Sequence, residues 1–239
     1  MALDDLTESE PAKVFSMWFI DQGFGYFLLI LQGAWVTVEI TIAGSLIALP
    51  AALLAGLGRL SRVAPIRWIS TAYIEFFRGT SVIVQLFWVY FALPLLGVRL
   101  SPFQAGSLAI GLNVGAYAAE VVRAAVRAVP KDQLEAAVAL NLSRSQSLRH
   151  IVLPQAFVIM LPALGNAGIE LLKATSVVSL ISLADMTFNA QIVRMQTGQT
   201  AGPYLSILVM YFMLASVIAW GTRSLERRVN LGLDRSWKS

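Results

Sequence analysis

Several charged and amide side chains in this chain are set inside long apolar runs, at helical spacing. Asn113, Tyr117 and Glu120 follow one another at i, i+4 and i+7, and so do Asn166, Glu170 and Lys173. Each trio therefore shares one helix face. Glu39 stands alone in an earlier run, and Arg78, Thr80 and Gln85 lie close together in the next. Groups of these types suit binding and ion pairing, not bond-making. The chain has no cysteine, and its single histidine, His150, has basic neighbours. No Gly-x-x-x-x-Gly-Lys-Ser/Thr, Gly-x-Ser-x-Gly or His-Glu-x-x-His sequence occurs. Thiolate, P-loop, serine-elbow and zincin chemistry thus have no visible site, and no bound metal or cofactor is expected.

The setting of these residues explains what they can do. Over 239 residues, 57% are hydrophobic and 13% charged, with a mean hydropathy of +0.69. Soluble domains carry about 25% charged residues, so the apolar excess is expected to face lipid. The pI of about 9.6 does not point to nucleic acid, because the basic residues recur between apolar runs and form no single patch. A charge at membrane depth costs about 2.5–3.5 kcal/mol and needs a partner or water. Two readings stand side by side. In one, the polar faces line a path and meet a solute's ammonium and carboxylate. In the other, they are interhelical pairs that fix a bundle. Glu39, Asn166 and Glu170 suit either; Thr80, Gln85, Asn113 and Tyr117 are candidate liners. Arg78, Glu120 and Lys173 suit the structural role better, each lying near the end of a run. Glu170 and Lys173 are placed to pair at i, i+3, and Gly111 with Gly115 permits a close helix approach.

Five apolar segments are predicted as transmembrane helices: Tyr26 to Leu57, Trp68 to Leu93, Phe103 to Val122, Gln155 to Leu183, and Tyr204 to Trp220. Each is near or above the ~20 residues that cross a bilayer. The first is long enough that tilt, a kink near Pro50 or projection from the membrane is expected. Arg78-Gly79 falls inside the second. Lys and Arg concentrate after the first, third and fifth segments, as Arg59, Arg62, Arg67, then Arg123, Arg127, Lys131, Arg144, Arg149, then Arg223, Arg227, Arg228, Arg235, Lys238. The positive-inside rule then puts the N-terminus outside and the C-terminus in the cytoplasm. Residues 1–24 read as an acidic extracytoplasmic tail with no signal-peptide character, 25–226 as the membrane domain, and 227–239 as a basic cytoplasmic tail.

The loop 128–154 is longer than two neighbouring helices need. Pro130 suits a helix start, Asp132 and Glu135 complement the N-terminal dipole, and Leu134, Ala137, Val138 and Leu140 supply an apolar stripe. Asn141 tolerates the left-handed conformation that closes such a helix. Ser143-Arg144-Ser145-Gln146 is a capping-box pattern for a second helix, which Pro154 is expected to end. A helix-turn-helix knob of this kind suits insertion into a partner's groove; a helix lying on lipid headgroups is the plainer alternative.

Glu135-Ala136-Ala137, Leu140-Asn141-Leu142 and Ile151-Val152-Leu153-Pro154 together resemble the EAA loop of type I ABC importer permeases, with Asn141 where that family usually has glycine. Arg78-Gly79-Thr80-Ser81 with Gln85, the Asn113 to Arg123 pattern, Pro130-Lys131-Asp132-Gln133 and Leu171-Leu172-Lys173-Ala174-Thr175-Ser176 resemble its polar amino acid branch, the histidine–glutamine type. Ser81 replaces a proline and Asp132 a glycine of that branch.

The resemblance implies an all-α polytopic fold in a bacterial inner membrane. The loop would be a coupling helix docked on a cytoplasmic ATPase through Glu135, Ala136, Ala137, Leu140, Asn141 and Leu142. It further implies a second permease, identical or paralogous, and an extracytoplasmic substrate-binding protein. ATP and Mg would sit on the ATPase, and transport would run by alternating access. Asn166 is followed in that branch by a glutamate and here by Ala167. That change disfavours cationic amino acids and favours a neutral zwitterion, including a compatible solute. An ion-gradient-driven transporter is the alternative of another class, although the repeated halves common in such proteins are not visible.

Overall fold

A computed structural model describes residues 23–236, and the side chains of residues 26–229. The acidic N-terminal tail falls outside the described residues, save for its last two positions. The first helix, α1 (Gly23–Gly58), has 36 residues, roughly 54 Å at ~1.5 Å per residue. It passes Pro50 without a break. Its hydroxyls bond back along the helix: Thr37 to Gly33 O at 3.1 Å, Thr41 to Thr37 O and Ser45 to Thr41 O, both at 2.7 Å. That self-satisfaction lets polar side chains sit in an apolar helix.

The second predicted span is broken. It consists of α2 (Ala64–Gly79) and α3 (Val82–Phe87), the latter prolonged by a wide turn, Trp88–Ala92, and a tight one, Leu93–Leu96. The two halves are bent by 104°. Thr80 and Ser81 between them are extended, at φ −122° and −72°. Glycine followed by two hydroxyl residues is a weak stretch for a helix, since Ser and Thr offer the backbone competing bonds. Among the described residues four unbroken helices are long and apolar enough to cross a membrane, and the bent pair makes a fifth.

At the centre lies α4 (Pro102–Ala128). Ser101 caps it in a reciprocal box: Gln104 N donates to Ser101 Oγ at 3.2 Å, and Ser101 N to Gln104 Oε1 at 3.0 Å. Small residues bury most of its surface. A Cβ at Gly111 would lie 2.8 Å from Gly44 O, and one at Gly115 3.1 Å from Ala48 O. The close approach expected of this glycine pair is thus made to α1.

The loop folds as α5 (Lys131–Ala139) and α6 (Arg144–Ser147). Asn141 adopts φ 56°, and Leu142 N bonds to Ala137 O at 3.0 Å, the long-range bond of a left-handed helix stop. The Ser143–Gln146 capping box forms, with Ser143 N donating to Gln146 Oε1 at 2.8 Å. Pro154 does not end this second helix. A wide turn at Leu148–Val152 leads directly into α7 (Leu153–Ala174), which closes in a tight turn, Thr175–Ile181. Pro154 occupies the first turn of α7, where its lack of an N–H is tolerated. The apolar run from Arg144 to Ile181 is one helical path of 38 residues.

After Ser182, at φ 59°, comes a helix not expected from the apolar pattern, α8 (Met186–Thr197). Asp185 caps it, accepting from Phe188 N at 2.9 Å. Burial pushes the Asp185 carboxyl up to about 6, against the pull of the Phe188 amide and the Thr187 amide and hydroxyl. Two bonds tie α8 to α1: Asn189 Nδ2 to Leu29 O at 2.8 Å and Met186 N to Thr37 Oγ1 at 3.4 Å. The last helix, α9 (Ala201–Ser236), continues well past Trp220.

The glycine contacts predict opposite outcomes at two sites. Gly111→Leu should lower the thermal midpoint of the detergent-purified protein, because the added atoms meet α1 backbone; overpacking of this kind costs about 1–3 kcal/mol. Gly221 has nothing within 4 Å of its added Cβ, so Gly221→Ala should hold the midpoint or raise it, by up to about 1 kcal/mol of helix preference.

Candidate functional site

The break between α2 and α3 frees backbone carbonyls, and side chains from α3 and α4 take them up. Gln85 Nε2 donates to Phe77 O at 3.0 Å and to Thr80 Oγ1 at 2.6 Å. Asn113 Nδ2 donates to the same Phe77 O at 2.9 Å and to Gln85 Oε1 at 3.1 Å. Gln85 and Asn113 are both buried. Tyr117 Oη reaches Arg78 O at 3.4 Å, and the Arg78 guanidinium stands 5.4 Å from the centre of the Tyr117 ring. Five of the residues singled out by type and spacing therefore meet at one place. Arg78, Thr80 and Tyr117 are exposed there, and Thr80 and Gln85 line a cavity of about 630 Å³ whose other walls include Phe76, Phe77, Trp88 and Leu112.

Asn166, Glu170 and Lys173 form a second polar surface, on α7. Asn166 borders a cavity of about 170 Å³ with Thr222, Arg223 and Glu226 of α9. Lys173 borders one of about 620 Å³ with Tyr211, Ser216 and Arg223. Glu170 and Lys173 do not pair as expected. The ion pairs among the described residues are those of Arg59 with Glu75 and Glu120, and of Arg123 with Glu120. Both side chains of the expected pair are exposed, and an exposed i, i+3 pair gains too little to hold two long side chains together.

Position 167 faces inward. Ala167 lines a cavity of about 120 Å³ with Ser45, Val114, Ala118, Leu164 and Leu171, between α7, α4 and α1. No ionisable side chain contributes to its walls. Glu39 lies elsewhere, on the exposed stripe of α1, where Trp35 Nε1 donates to its carboxylate at 2.7 Å.

On the loop, Ala137 is buried while Glu135, Ala136 and Leu140 are exposed and Leu142 is half-buried. Val138 and Leu140 are 75% and 72% exposed, so the turn presents an apolar tip with an acid beside it. Gln155 of α7 holds α5 by a contact to Gln133 Oε1 at 3.4 Å. Arg59 and Glu75 join Glu120 in one network. From the sequence Arg59 is one more orientation charge and Glu75 carries no signal; only the packing of three helices brings them to Glu120. No group of three metal-ligating side chains comes together among the described residues.

Comparisons with known proteins agree on the kind of machine. Residues 48–231 match the family model described as binding-protein-dependent transport system inner membrane component. A probable amino-acid ABC transporter permease protein, y4tF of Sinorhizobium fredii, is 45% identical over 204 residues, covering 83% of this chain and 86% of that one. The L-cystine transport system permease protein TcyB of Bacillus subtilis is 34% identical over 203 residues, covering 84% and 87%. A crystal structure of an amino acid ABC transporter with histidines superposes with a TM-score of 0.81 at 34% identity, covering 87% of this chain and 97% of its counterpart. None of these findings favours an ion-gradient mechanism. The chain belongs to the binding-protein-dependent transport system inner membrane component family, as the multi-pass permease subunit of an ABC importer that works with a separate ATPase, a second permease and a substrate-binding protein.

Proposed function

We propose that this permease carries polar amino acids or amino-acid-like zwitterions, and that the helix break of α2 and α3 lies on their path. The observation behind this is the cluster of Arg78, Thr80, Gln85, Asn113 and Tyr117, which sets polar groups at membrane depth where irregular backbone is tolerated only inside protein or beside water. Thr80 and Tyr117 offer hydroxyls to a passing solute, and Gln85 and Asn113 hold the break open. Asn166 and Glu170 extend the path along α7. Lys173 keeps a structural role at the α7–α9 cavity, and Glu39, engaged by Trp35, has no part. A single bundle with open polar faces needs a second permease to enclose these groups, as a copy or a paralogue.

The N-terminus and residues 1–24 lie outside, and the coupling loop 128–154 and the basic tail 227–239 lie in the cytoplasm, by the distribution of Lys and Arg. Within the loop, Glu135, Ala136, Leu140 and Leu142, with exposed Val138, dock on the ATPase. Asn141 and Ala137 shape the turn. ATP and Mg are held by the ATPase, and this chain holds no cofactor. Closure of the ATPase pair on ATP moves the loop, and the path opens alternately to either side; only binding that differs between those two states drives the switch.

The substrate class follows from position 167. A cationic side chain reaching that cavity meets no counter-charge, whereas zwitterions with neutral side chains leave nothing unpaired. Compatible solutes of amino-acid type belong to the same class.

Two measurements test these assignments in proteoliposomes holding the permease with its companion permease, ATPase and binding protein. Uptake should require ATP, and Glu135→Lys should reduce it at least about tenfold, the factor equivalent to about 1.4 kcal/mol. Co-purification would judge assembly separately. Uptake without ATP, or uptake indifferent to this reversal, would overturn the docking role. In competition between neutral and cationic amino acids, Ala167→Glu should raise the cationic share at least about tenfold, since one charge pair in partly screened surroundings is worth that much or more. An unchanged ratio would remove position 167 from the path.

A further inference from the structure

Where α4 runs down toward the coupling loop, charge ties it to two other helices. Arg59, in the turn that follows α1, donates through Nη1 to Glu120 of α4 and through Nη2 to Glu75 of α2 at 2.9 Å. The other oxygen of Glu120 accepts from Arg123 Nε at 2.8 Å. Two arginines and two glutamates balance. The side chains of Arg59, Glu120 and Arg123 are 23%, 20% and 26% exposed, and that of Glu75 is 59% exposed. The helices are in tight contact here, for a Cβ at Gly56 of α1 would lie 2.6 Å from Ala119 O of α4.

The position of the network matters more than its strength. Glu120 stands about two turns before Ala128, where α4 passes into the coupling loop, with no break between them. Glu75 stands about one turn before Gly79, where α2 ends at the break. A continuous route therefore runs from the loop along α4, across Glu120, Arg59 and Glu75, and along α2 to Phe77 and Arg78. An ion pair kept for stability alone gains little over apolar residues of the same volume. A shared network does something apolar packing does not: Glu120 accepts from two arginines and Arg59 donates to two glutamates, so a helix can shift without stranding a charge. Switching elements with two discrete arrangements need this property.

We infer that, with the loop docking the ATPase as proposed above, Glu120, Arg59 and Glu75 are positioning residues that carry its movement through α4 to the α2–α3 break. They touch no solute. Their loss disconnects ATP hydrolysis from transport and leaves both the fold and the docking intact.

The test measures solute uptake and ATP hydrolysis in the same proteoliposomes, using the complete complex. Glu75→Gln changes an exposed side chain and guards against misfolding; Glu120→Gln removes the central acid, and Glu120→Asp is the conservative variant. Both glutamine variants should move at least about fivefold less solute per ATP, the lower end of measured site-to-site couplings. Binding-protein-stimulated hydrolysis and co-purification of the ATPase should persist, and Glu120→Asp should recover part of the ratio. An unchanged ratio, or uptake that falls only in step with hydrolysis and assembly, would overturn the linkage. Glu135→Lys separates the two levels. If it stops hydrolysis and uptake together while the glutamine variants keep their ratio, the linkage alone is wrong. If it affects neither, the docking role of the loop is wrong as well.

Discussion

In a bilayer every backbone N–H and C=O must find its partner within the protein, and the second span cannot meet that demand by itself. Its helix stops at Gly79 and resumes at Val82, leaving carbonyls without helical donors. Gln85 and Asn113 supply the donors and bond to each other. Much of the surrounding architecture serves this arrangement. Asn113 must be buried against α2, so α4 must come close, and the Tyr73 hydroxyl on α2 bonds to Leu112 O at 2.7 Å. Gly115 leaves room for that hydroxyl, since a Cβ there would lie 3.0 Å from it, whereas Gly111 serves the contact with α1. The packing of α4 thus answers to two helices, α1 and the broken span.

Much of this was legible in the sequence where the signal is local. The left-handed turn at Asn141, the capping box at Ser143 and the glycine pair of α4 each depend on residues a few positions apart, and each has a physical cause visible in residue types alone. The failures share a different character. Hydropathy averaged over Trp68 to Leu93 hides a two-residue interruption, because the flanking Phe, Ile and Val residues dominate the sum. Pro154 looks like a stop until the wide turn before it is known. The helix after Asp185 carries a cap in front and Gly198 behind, which are readable signals, but its interior is too polar to stand out among apolar runs. The link between Arg59 and Glu120 joins residues 61 positions apart, and no local pattern announces it.

The candidate site divides in the same way. Spacing along one helix grouped Asn113 with Tyr117, and three-dimensional packing added Thr80, Gln85 and Arg78 to them. Spacing also grouped Glu170 with Lys173, yet neighbours on an exposed helix face are under no compulsion to pair. Ala167 shows how one residue separates surfaces: Asn166 looks toward α9 and the next side chain toward α4 and α1.

The wide turn at Leu148–Val152 joins α6, at the end of the helix-turn-helix loop, to the fourth span. Each α-helical residue advances the azimuth by about 100°, and a wide turn of this type holds one residue more than a regular one. Since α6 passes through it into α7 without a flexible joint, the loop and the span form a single crankshaft. Because the extra residue is taken up within the one wide turn, deleting it would restore a regular turn and leave loop and span in nearly the same phase. A one-residue change in a regular turn nearby would instead swing the apolar tip of the loop by about 100°. The wide turn is therefore a place in this path where a single-residue change of length is absorbed without re-aiming the loop.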